Sequence, residues 1–228
     1  IQKNQLLQYE KNESTNDLQG ELFHNYERVI GNYHSSNNKT VIIVAGVHGN
    51  EKSGVIALNR FFENIKKLNI QIEGTVIGLI GNLNALKQNK RYIKEDMNRL
   101  WTTKILSSEN NHSEKNEILI LKALIDKIIS LKKKKNICII DLHNTSSAHG
   151  VFTIVNKNTE KKLASHLKIP VINNLFKKIK GSLVEYYHSK GLTSIVFEGG
   201  AIGDPAAINN HEAGIWKILE SKKMINPE

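Results

Sequence analysis

The sequence has one cysteine, no long apolar run and few aromatic residues, and each scarcity limits what the protein can be. The single cysteine, Cys138, excludes a disulfide bond within the chain, and its apolar surroundings predict a buried side chain rather than a nucleophile. No apolar stretch approaches the roughly 18 residues that a membrane-spanning helix needs. The first residues are polar, so we expect no secretory signal and a cytoplasmic location.

The net charge of +10 arises largely from lysine. Residues 132–135 form one lysine block, whereas the other lysines are dispersed and lack the interleaved aromatic residues of many nucleic-acid-binding surfaces. We therefore expect a solvated surface that steers anionic substrates, without a nucleic-acid or membrane partner. A basic nucleic-acid-binding protein with an incidental metal site is the less favoured alternative.

Strand and helix patterns alternate along the chain. The 228 residues suit one domain, which we place at 26–228, after a mobile arm or edge element at 1–25. The predicted strands are 28–33, 40–47, 74–81, 136–142, 151–155, 170–174 and 193–197. The predicted helices are 51–67, 113–131, 159–167, 181–188 and 204–222. This alternation predicts an α/β fold, a three-layer αβα sandwich around a mostly parallel mixed sheet.

The stretch 41–51, VIIVAGVHGNE, is the first candidate site. Its β-branched beginning predicts a strand buried on both faces of a parallel sheet. The strand leads into a turn with His48 and Glu51, at the edge where ligands of open α/β sheets bind, so both side chains could face one metal ion. Taken alone, the pattern is explained almost as well by a polar turn in which Glu51 caps the next helix.

Two further apolar strands lead into residues of the same kind, His143 and Glu198. If the three strands are parallel neighbours, these residues meet His48 and Glu51 at one edge. Two histidines and one carboxylate around an open position are the arrangement of a catalytic zinc ion, and Glu198 could be the base for a metal-activated water. Asp141, on the strand face of His143, could orient a nearby group. Separately, each could be a buried histidine or a strand-end carboxylate; together they favour a site.

The loop before residue 101 lacks clean periodicity but carries Arg91, Asn98 and Arg99. An arginine can bind a carboxylate at two points, asparagine adds a donor, and the other arginine could polarise a scissile carbonyl. The chain has only four arginines, so two in one loop suggest a purpose. The alternative is a surface arginine paired with Glu95 or Asp96.

Four motifs occur in order across about 40–215: GVHGNE at 46–51, GN at 81–82 continuing through RY at 91–92 to DMNR at 96–99, DLHNT at 141–145, and FEGG at 197–200. In these motifs the sequence resembles the succinylglutamate desuccinylase/aspartoacylase family, zinc-dependent amidohydrolases related to the zinc carboxypeptidases. The resemblance implies a zinc-carboxypeptidase-like fold and one zinc ion held by His48, Glu51 and His143. It implies Glu198 as the base that activates water and later protonates the leaving amine, with Arg91 on the scissile carbonyl.

The resemblance also assigns residues around the substrate. It implies that Asn98 and Arg99 bind the α-carboxylate of an N-acyl amino acid, and we expect Asn144 of the DLHNT motif to contact the substrate. Aspartoacylases have an arginine shortly before the catalytic glutamate that binds a second carboxylate. The stretch 186–190 contains none, and Lys190 or His188 could replace it. We also expect the carboxy-terminal β-rich part of many members to be absent.

The expected function is therefore a zinc-dependent hydrolase that cleaves the linear amide, not an ester, of an N-acyl amino acid or a similar small carboxylate-bearing substrate. The leading alternative is a zinc carboxypeptidase acting on short peptides, which would use the same residues. An inactive zinc-binding module is a third possibility, although Glu198 and both arginines of the loop argue against it.

Overall fold

The computed structural model describes residues 27–108, 113–146, 150–156, 158–173, 175 and 179–226. The arm predicted at 1–25 lies outside these residues, and the assignment of 26–228 to one domain stays a prediction. Within the described ranges, no helix has the length and apolar character required to cross a membrane.

Seven strands form one sheet in the described part of the chain. They are β1 (Val29–His34), β2 (Thr40–Ala45), β3 (Thr75–Ile80), β4 (Ile137–Thr145), β5 (Phe152–Val155), β6 (Val171–Asn173) and β7 (Thr193–Ala201). Their order across the sheet is β1-β3-β2-β4-β7-β5-β6. Four of the six neighbouring pairs are parallel, whereas β1–β3 and β5–β7 are antiparallel. This confirms the predicted α/β class with a mostly parallel mixed sheet.

Helices cover both faces of the sheet. They are α1 (Ser53–Leu68), α2 (Leu83–Lys87), α3 (Thr103–Leu106), α4 (Ser113–Ser130), α5 (Asn158–Ser165), α6 (Leu183–Ser189) and α7 (Ala206–Ser221), with 3-10 turns at Met97–Arg99 and Lys134–Asn136. On β2, Ile42 and Val44 pack in the core with α4 and α6, whereas Val41 and Ile43 pack in the core with α1, α5 and α7. A strand buried on both faces needs apolar residues at every position, which explains the β-branched run. The predicted three-layer sandwich is confirmed.

The strands β2, β4 and β7 are parallel neighbours, as the site hypothesis requires. However, β4 and β7 extend beyond the predicted ends at 142 and 197, so His143 and Glu198 lie within strands and are register partners. The prediction ended both strands where the apolar run ended, whereas the backbone pairing continues through the polar residues. His143 and Glu198 are therefore fixed by the sheet ladder and not by loops.

The segment predicted as an aperiodic loop contains the short helix α2. The Asn82 side chain caps this helix by accepting a hydrogen bond from the Ala85 N–H at 3.0 Å. Five residues are too few to show helical periodicity, but the Asn82 cap was a usable signal.

Candidate metal centre

A tight turn after β2 brings two side chains to the carboxyl edge of the sheet. Gly46 has a φ of +68°, which favours glycine, and a Cβ atom at Gly49 would lie 2.1 Å from the Ala85 carbonyl carbon. The Glu51 N–H donates to the His48 carbonyl oxygen at 3.1 Å. The two glycines therefore allow the turn to pack against α2 while it presents His48 and Glu51.

Glu51 is the centre of the cluster, because each of its carboxylate oxygens faces a different histidine. Oε1 lies 2.8 Å from Nδ1 of His48, and Oε2 lies 3.0 Å from Nδ1 of His143. All three residues are buried, and one ligand atom from each lies within 4.8 Å of the others. The structure thus brings together the three residues predicted as metal ligands, and this set can hold a metal ion.

The electrostatics of the cluster fit a cation site. Burial alone would raise the pKa of Glu51, but the charges and hydrogen bonds of His143 and His48 lower it below its ordinary value. Burial would lower the pKa of His143, yet the carboxylates of Asp141 and Glu51 more than offset this effect and raise it. The carboxylates therefore stabilise positive charge at this point. A divalent metal would take the place of a proton, because histidine binds metal only through a deprotonated nitrogen.

Two further carboxylates hold the far sides of the histidine rings. Asp141 lies 2.9 Å from Nε2 of His143, and Asp96 lies 3.0 Å from Nε2 of His48. A carboxylate at Nε2 keeps the proton on that nitrogen and leaves Nδ1 to bind a metal. The sequence suggested Asp141 as an orienting residue, whereas Asp96 was expected only as an ion-pair partner of the nearby arginine.

Glu198 lies beside the cluster on β7. Because Glu198 and His143 are register partners in neighbouring parallel strands, their side chains leave the sheet on the same face. The Oε2 atom of Glu198 is buried and has no hydrogen-bond partner among the described residues. Burial raises the pKa of Glu198. A carboxylate of this kind is suited to accept a proton and to return it.

Arg91 reaches the cluster from the segment between α2 and the 3-10 turn. One guanidinium nitrogen lies 3.4 Å from Oε1 of Glu51, and another lies 3.4 Å from the Asp96 carboxylate. The guanidinium is partly exposed, so it could also contact a bound molecule. The ion pair with Asp96 and the position at the site, which were alternatives at the level of sequence, therefore occur together.

Asn98 and Arg99 lie in the 3-10 turn beside the cluster. The Asn98 side chain is buried, with Nδ2 3.4 Å from Nε2 of His143 and with Oδ1 accepting a hydrogen bond from the Leu183 N–H at 3.0 Å. Arg99 is exposed and donates to the Asn98 carbonyl oxygen at 2.7 Å. The structure therefore places Asn98 at the cluster and Arg99 next to it at the surface.

The model of the succinylglutamate desuccinylase/aspartoacylase catalytic domain matches residues 37–208, which is most of the chain. The chain belongs to this family. The resemblance expected from the sequence motifs is confirmed.

Relatives agree with this membership, and a solved structure has the same fold. An N-acyl-aromatic-L-amino acid amidohydrolase of Xenopus laevis is 30% identical over 138 residues, which are 60% of this chain and 45% of that protein. A Nostoc protein named "probable aspartoacylase" is 30% identical over 199 residues, which are 82% of this chain and 65% of that protein. The chain thus spans about half to two thirds of the length of these relatives. The fold matches a succinylglutamate desuccinylase from Vibrio parahaemolyticus with a TM-score of 0.71 at 17% identity, over 86% of this chain and 60% of that one.

In this family member, the DLHNT asparagine is held inside the protein. The Asn144 side chain donates to the Gly200 carbonyl oxygen at 3.1 Å and accepts from the Ser53 hydroxyl at 2.6 Å. The Asn144 backbone N–H donates to Oε2 of Glu51 at 2.9 Å. Both ends of the amide are engaged, so the geometry favours a role in fixing Glu51 over the predicted substrate contact.

The two candidates for the family's second-carboxylate arginine lie in different surroundings. His188 has its Nδ1 atom 2.8 Å from the Glu160 carboxylate. The Lys190 ammonium lies 4.3 Å from the centre of the Tyr186 ring, beside a groove of about 610 Å³ that Trp101 also lines. Lys190 is therefore the candidate that faces a space large enough for a ligand.

Proposed function

We propose that this chain is the catalytic part of a zinc-dependent hydrolase that cleaves the amide bond of an N-acyl amino acid. The observation that carries the proposal is the convergence of His48, Glu51 and His143, with Glu198 on the same face of the sheet. Two histidines and a carboxylate form a set that zinc binds in catalytic sites. The Xenopus relative, named for hydrolysis of N-acyl-aromatic amino acids, supports the substrate class.

In this proposal His48, Glu51 and His143 would hold the zinc ion, which lowers the pKa of a water molecule and polarises a carbonyl. Glu198 accepts the proton of the attacking water and later donates it to the leaving amine nitrogen. The raised pKa of Glu198 suits both steps, because the group must exchange a proton near neutral pH. Asp96 keeps the ring of His48 in the metal-binding orientation throughout.

The polar residues of the 91–99 segment would bind and polarise the substrate. Arg91 would donate hydrogen bonds to the scissile carbonyl oxygen as negative charge develops there. The Leu183 N–H donates to the side-chain oxygen Oδ1 of Asn98, so the side-chain NH₂ group is directed towards the cluster. There it can donate to a substrate carboxylate. The exposed guanidinium of Arg99 would provide the main charge for that carboxylate.

Metal analysis and one substitution test this function. We expect the purified chain to contain one zinc ion per molecule and to hydrolyse N-acyl amino acids. In Glu198→Gln the zinc content should remain while the rate falls by about 10²–10⁴-fold, the usual contribution of general acid–base catalysis. Glu73→Gln, on the surface and away from the cluster, serves as the control. A chain without zinc, or undiminished hydrolysis by Glu198→Gln, would overturn the proposal.

Activity assays on the same protein distinguish N-acyl amino acids from short peptides as substrates. N-acyl amino acids and dipeptides should be assayed side by side at equal concentration. Hydrolysis of dipeptides alone would favour the zinc carboxypeptidase that the sequence left open. A salt-titrated nucleic-acid binding assay that shows no affinity at low ionic strength would remove the nucleic-acid-binding alternative.

A further inference from the structure

The segment 90–96 has neither helix nor strand, yet it contacts the metal-binding turn through the Arg91 guanidinium at Glu51 and through two further contacts. The Gly49 N–H donates to the Arg91 carbonyl oxygen at 3.2 Å. Near the end of the segment, Asp96 lies 3.0 Å from Nε2 of His48. The orientation of the His48 ring therefore depends on a stretch of irregular backbone that regular hydrogen bonding does not fix.

Glu114, in the first turn of α4, holds this segment through its backbone N–H groups. Its Oε1 atom accepts a hydrogen bond from the Ile93 N–H at 2.6 Å. The Lys94 N–H lies 3.1 Å from Oε1 and 3.2 Å from Oε2. Ile93 and Lys94 lie between Arg91 and Asp96, the two residues of the segment that reach the cluster.

These contacts are strong because of where they occur. Glu114 is fully buried, and hydrogen bonds to a buried charged acceptor are worth more than neutral ones, whereas a buried N–H without a partner costs free energy. The positive end of the α4 dipole also favours a carboxylate in the first turn, but that effect alone does not require it to contact another segment. The direction of the Glu114 carboxylate thus points to a role beyond the stability of α4.

A second glutamate, one turn later in α4, also accepts hydrogen bonds from backbone N–H groups, but of a different segment. Glu117 accepts hydrogen bonds from the Leu83 N–H at 3.1 Å and the Asn84 N–H at 3.3 Å, and it forms a buried ion pair with Arg28. Its contacts hold the start of α2 and not the segment that contains Asp96. The two glutamates therefore hold different pieces of backbone against the same helix.

We propose that Glu114 is a positioning residue for the metal centre. It holds the backbone at Ile93 and Lys94 so that Asp96 fixes the His48 ring with Nδ1 towards the metal. This inference rests on the proposed metal-binding function, and it adds a residue outside the motifs of the metal site. It predicts that changes at Glu114 weaken metal binding although Glu114 touches no ligand of the metal.

The test measures Zn²⁺ affinity of the full chain by competition with a chromophoric chelator. Loss of a residue that orients a ligand typically weakens metal binding by about 10–100-fold, and Glu114 acts one step further away, so we expect about tenfold for Glu114→Gln. Glu114→Asp keeps the charge and both acceptor oxygens, so it should recover part of the affinity. Amide hydrogen exchange at Lys94 and Gly49 should accelerate in Glu114→Gln while the middle of α4 stays protected.

Glu160→Gln is the matched control, because Glu160 is also buried in the first turn of a helix, α5, and also accepts a backbone N–H, from Asn156 at 2.8 Å. It should lose thermal stability but keep wild-type Zn²⁺ affinity. Two results would overturn this inference if the wild type binds zinc. One is a wild-type Zn²⁺ affinity in Glu114→Gln, and the other is an equal loss of Zn²⁺ affinity in Glu160→Gln. If Glu114→Gln does not fold, the same comparison is decided with Glu114→Asp. A wild-type chain that binds no Zn²⁺ would overturn the proposed function and this inference with it.

Discussion

Nε2 of His143 lies 2.9 Å from the carboxylate of Asp141, two residues earlier on the same face of β4. Asp141 is fully buried, and its other oxygen has no hydrogen-bond partner among the residues that the structure describes. A buried carboxylate is costly unless it is paired, so Asp141 contributes little to the stability of the sheet beyond its contact with His143. The position of Asp141 inside β4 is better explained by the orientation of the metal-binding ring.

We expect Asp141→Asn to lower Zn²⁺ affinity by about 10–100-fold, the usual effect of losing an orienting carboxylate. The amide cannot provide the negative charge that keeps the proton on Nε2 and strengthens Nδ1 as a ligand. The free energy of unfolding of the metal-free chain should fall, because the variant removes one partner of the buried charged pair with His143. Chelator competition and urea unfolding measure the two quantities.

Asp126→Asn provides the control for this substitution. Asp126 lies on α4, where it pairs with Lys122 and accepts a hydrogen bond from the Tyr187 hydroxyl at 3.2 Å. Its loss should leave Zn²⁺ affinity at the wild-type level. Wild-type affinity in Asp141→Asn, or a similar loss in both variants, would contradict the assigned role.

The strands that carry the site could be predicted, because each is marked by a local run of apolar residues that ends in a polar site residue. His48, His143 and Glu198 each follow a buried apolar run, Glu51 lies three residues after His48, and parallel pairing of the three strands brings the four together. Period and composition are properties of a few consecutive residues, so one sequence is enough to find them. The strand ends were less accurate, because polar residues stop the apolar pattern while backbone pairing continues.

The residues that hold the ligands could not be predicted in the same way. Asp96 is 48 positions from His48, and Glu114 is 21 positions from Ile93, so both contacts depend on how an irregular segment packs. No periodicity reports such packing. Asn144 is a different case: its motif suggested a substrate contact, which stays a prediction, and the structure shows its side-chain amide hydrogen-bonded to neighbouring protein groups.

Arg99→Ala should mainly raise KM for carboxylate-bearing substrates, with a smaller change in kcat. The exposed guanidinium is proposed to bind the α-carboxylate in the ground state and in the transition state alike, and such uniform binding contributes to KM. Loss of a charge-assisted hydrogen-bonded pair of about 1.5–3 kcal/mol corresponds to an increase of about 10–100-fold. The measurement is steady-state kinetics on an N-acyl amino acid and on the matching α-carboxamide, in which a neutral amide replaces the α-carboxylate.

Arg60→Ala is the comparison for Arg99→Ala, because Arg60 is also an exposed arginine but pairs with Glu212 between α1 and α7. It should leave KM unchanged. With the α-carboxamide substrate, Arg99→Ala and the wild type should have the same KM. If KM for the carboxylate substrate stayed at the wild-type value in Arg99→Ala, the carboxylate would have to bind elsewhere.

His211 on α7 is a buried histidine on the opposite side of β7 from Glu198. Its ring centre lies 5.6 Å from that of Phe197, and a Cβ atom at Gly199 would lie 2.5 Å from its Nε2 atom. Neither ring nitrogen has a hydrogen-bond partner in the described parts of the chain. Burial, reinforced by the charge on His143, lowers the pKa of His211 from the ordinary 6.5 to about 4.

This shift predicts a loss of stability in mild acid. As the pH falls below about 6.5, the unfolded chain protonates His211 first, so the folded state loses stability until the pH reaches about 4. From pH 7 to pH 5 the loss of folding stability due to His211 amounts to about 2 kcal/mol.

His211→Leu fills a similar volume without a titrating ring. Over the same pH range its free energy of unfolding should therefore fall by about 2 kcal/mol less than that of the wild type. Urea unfolding of the metal-free chain at both pH values measures this, with the exposed His166→Leu as control. The same pH dependence in His211→Leu and wild type would show that His211 is already protonated in the folded state or never titrates.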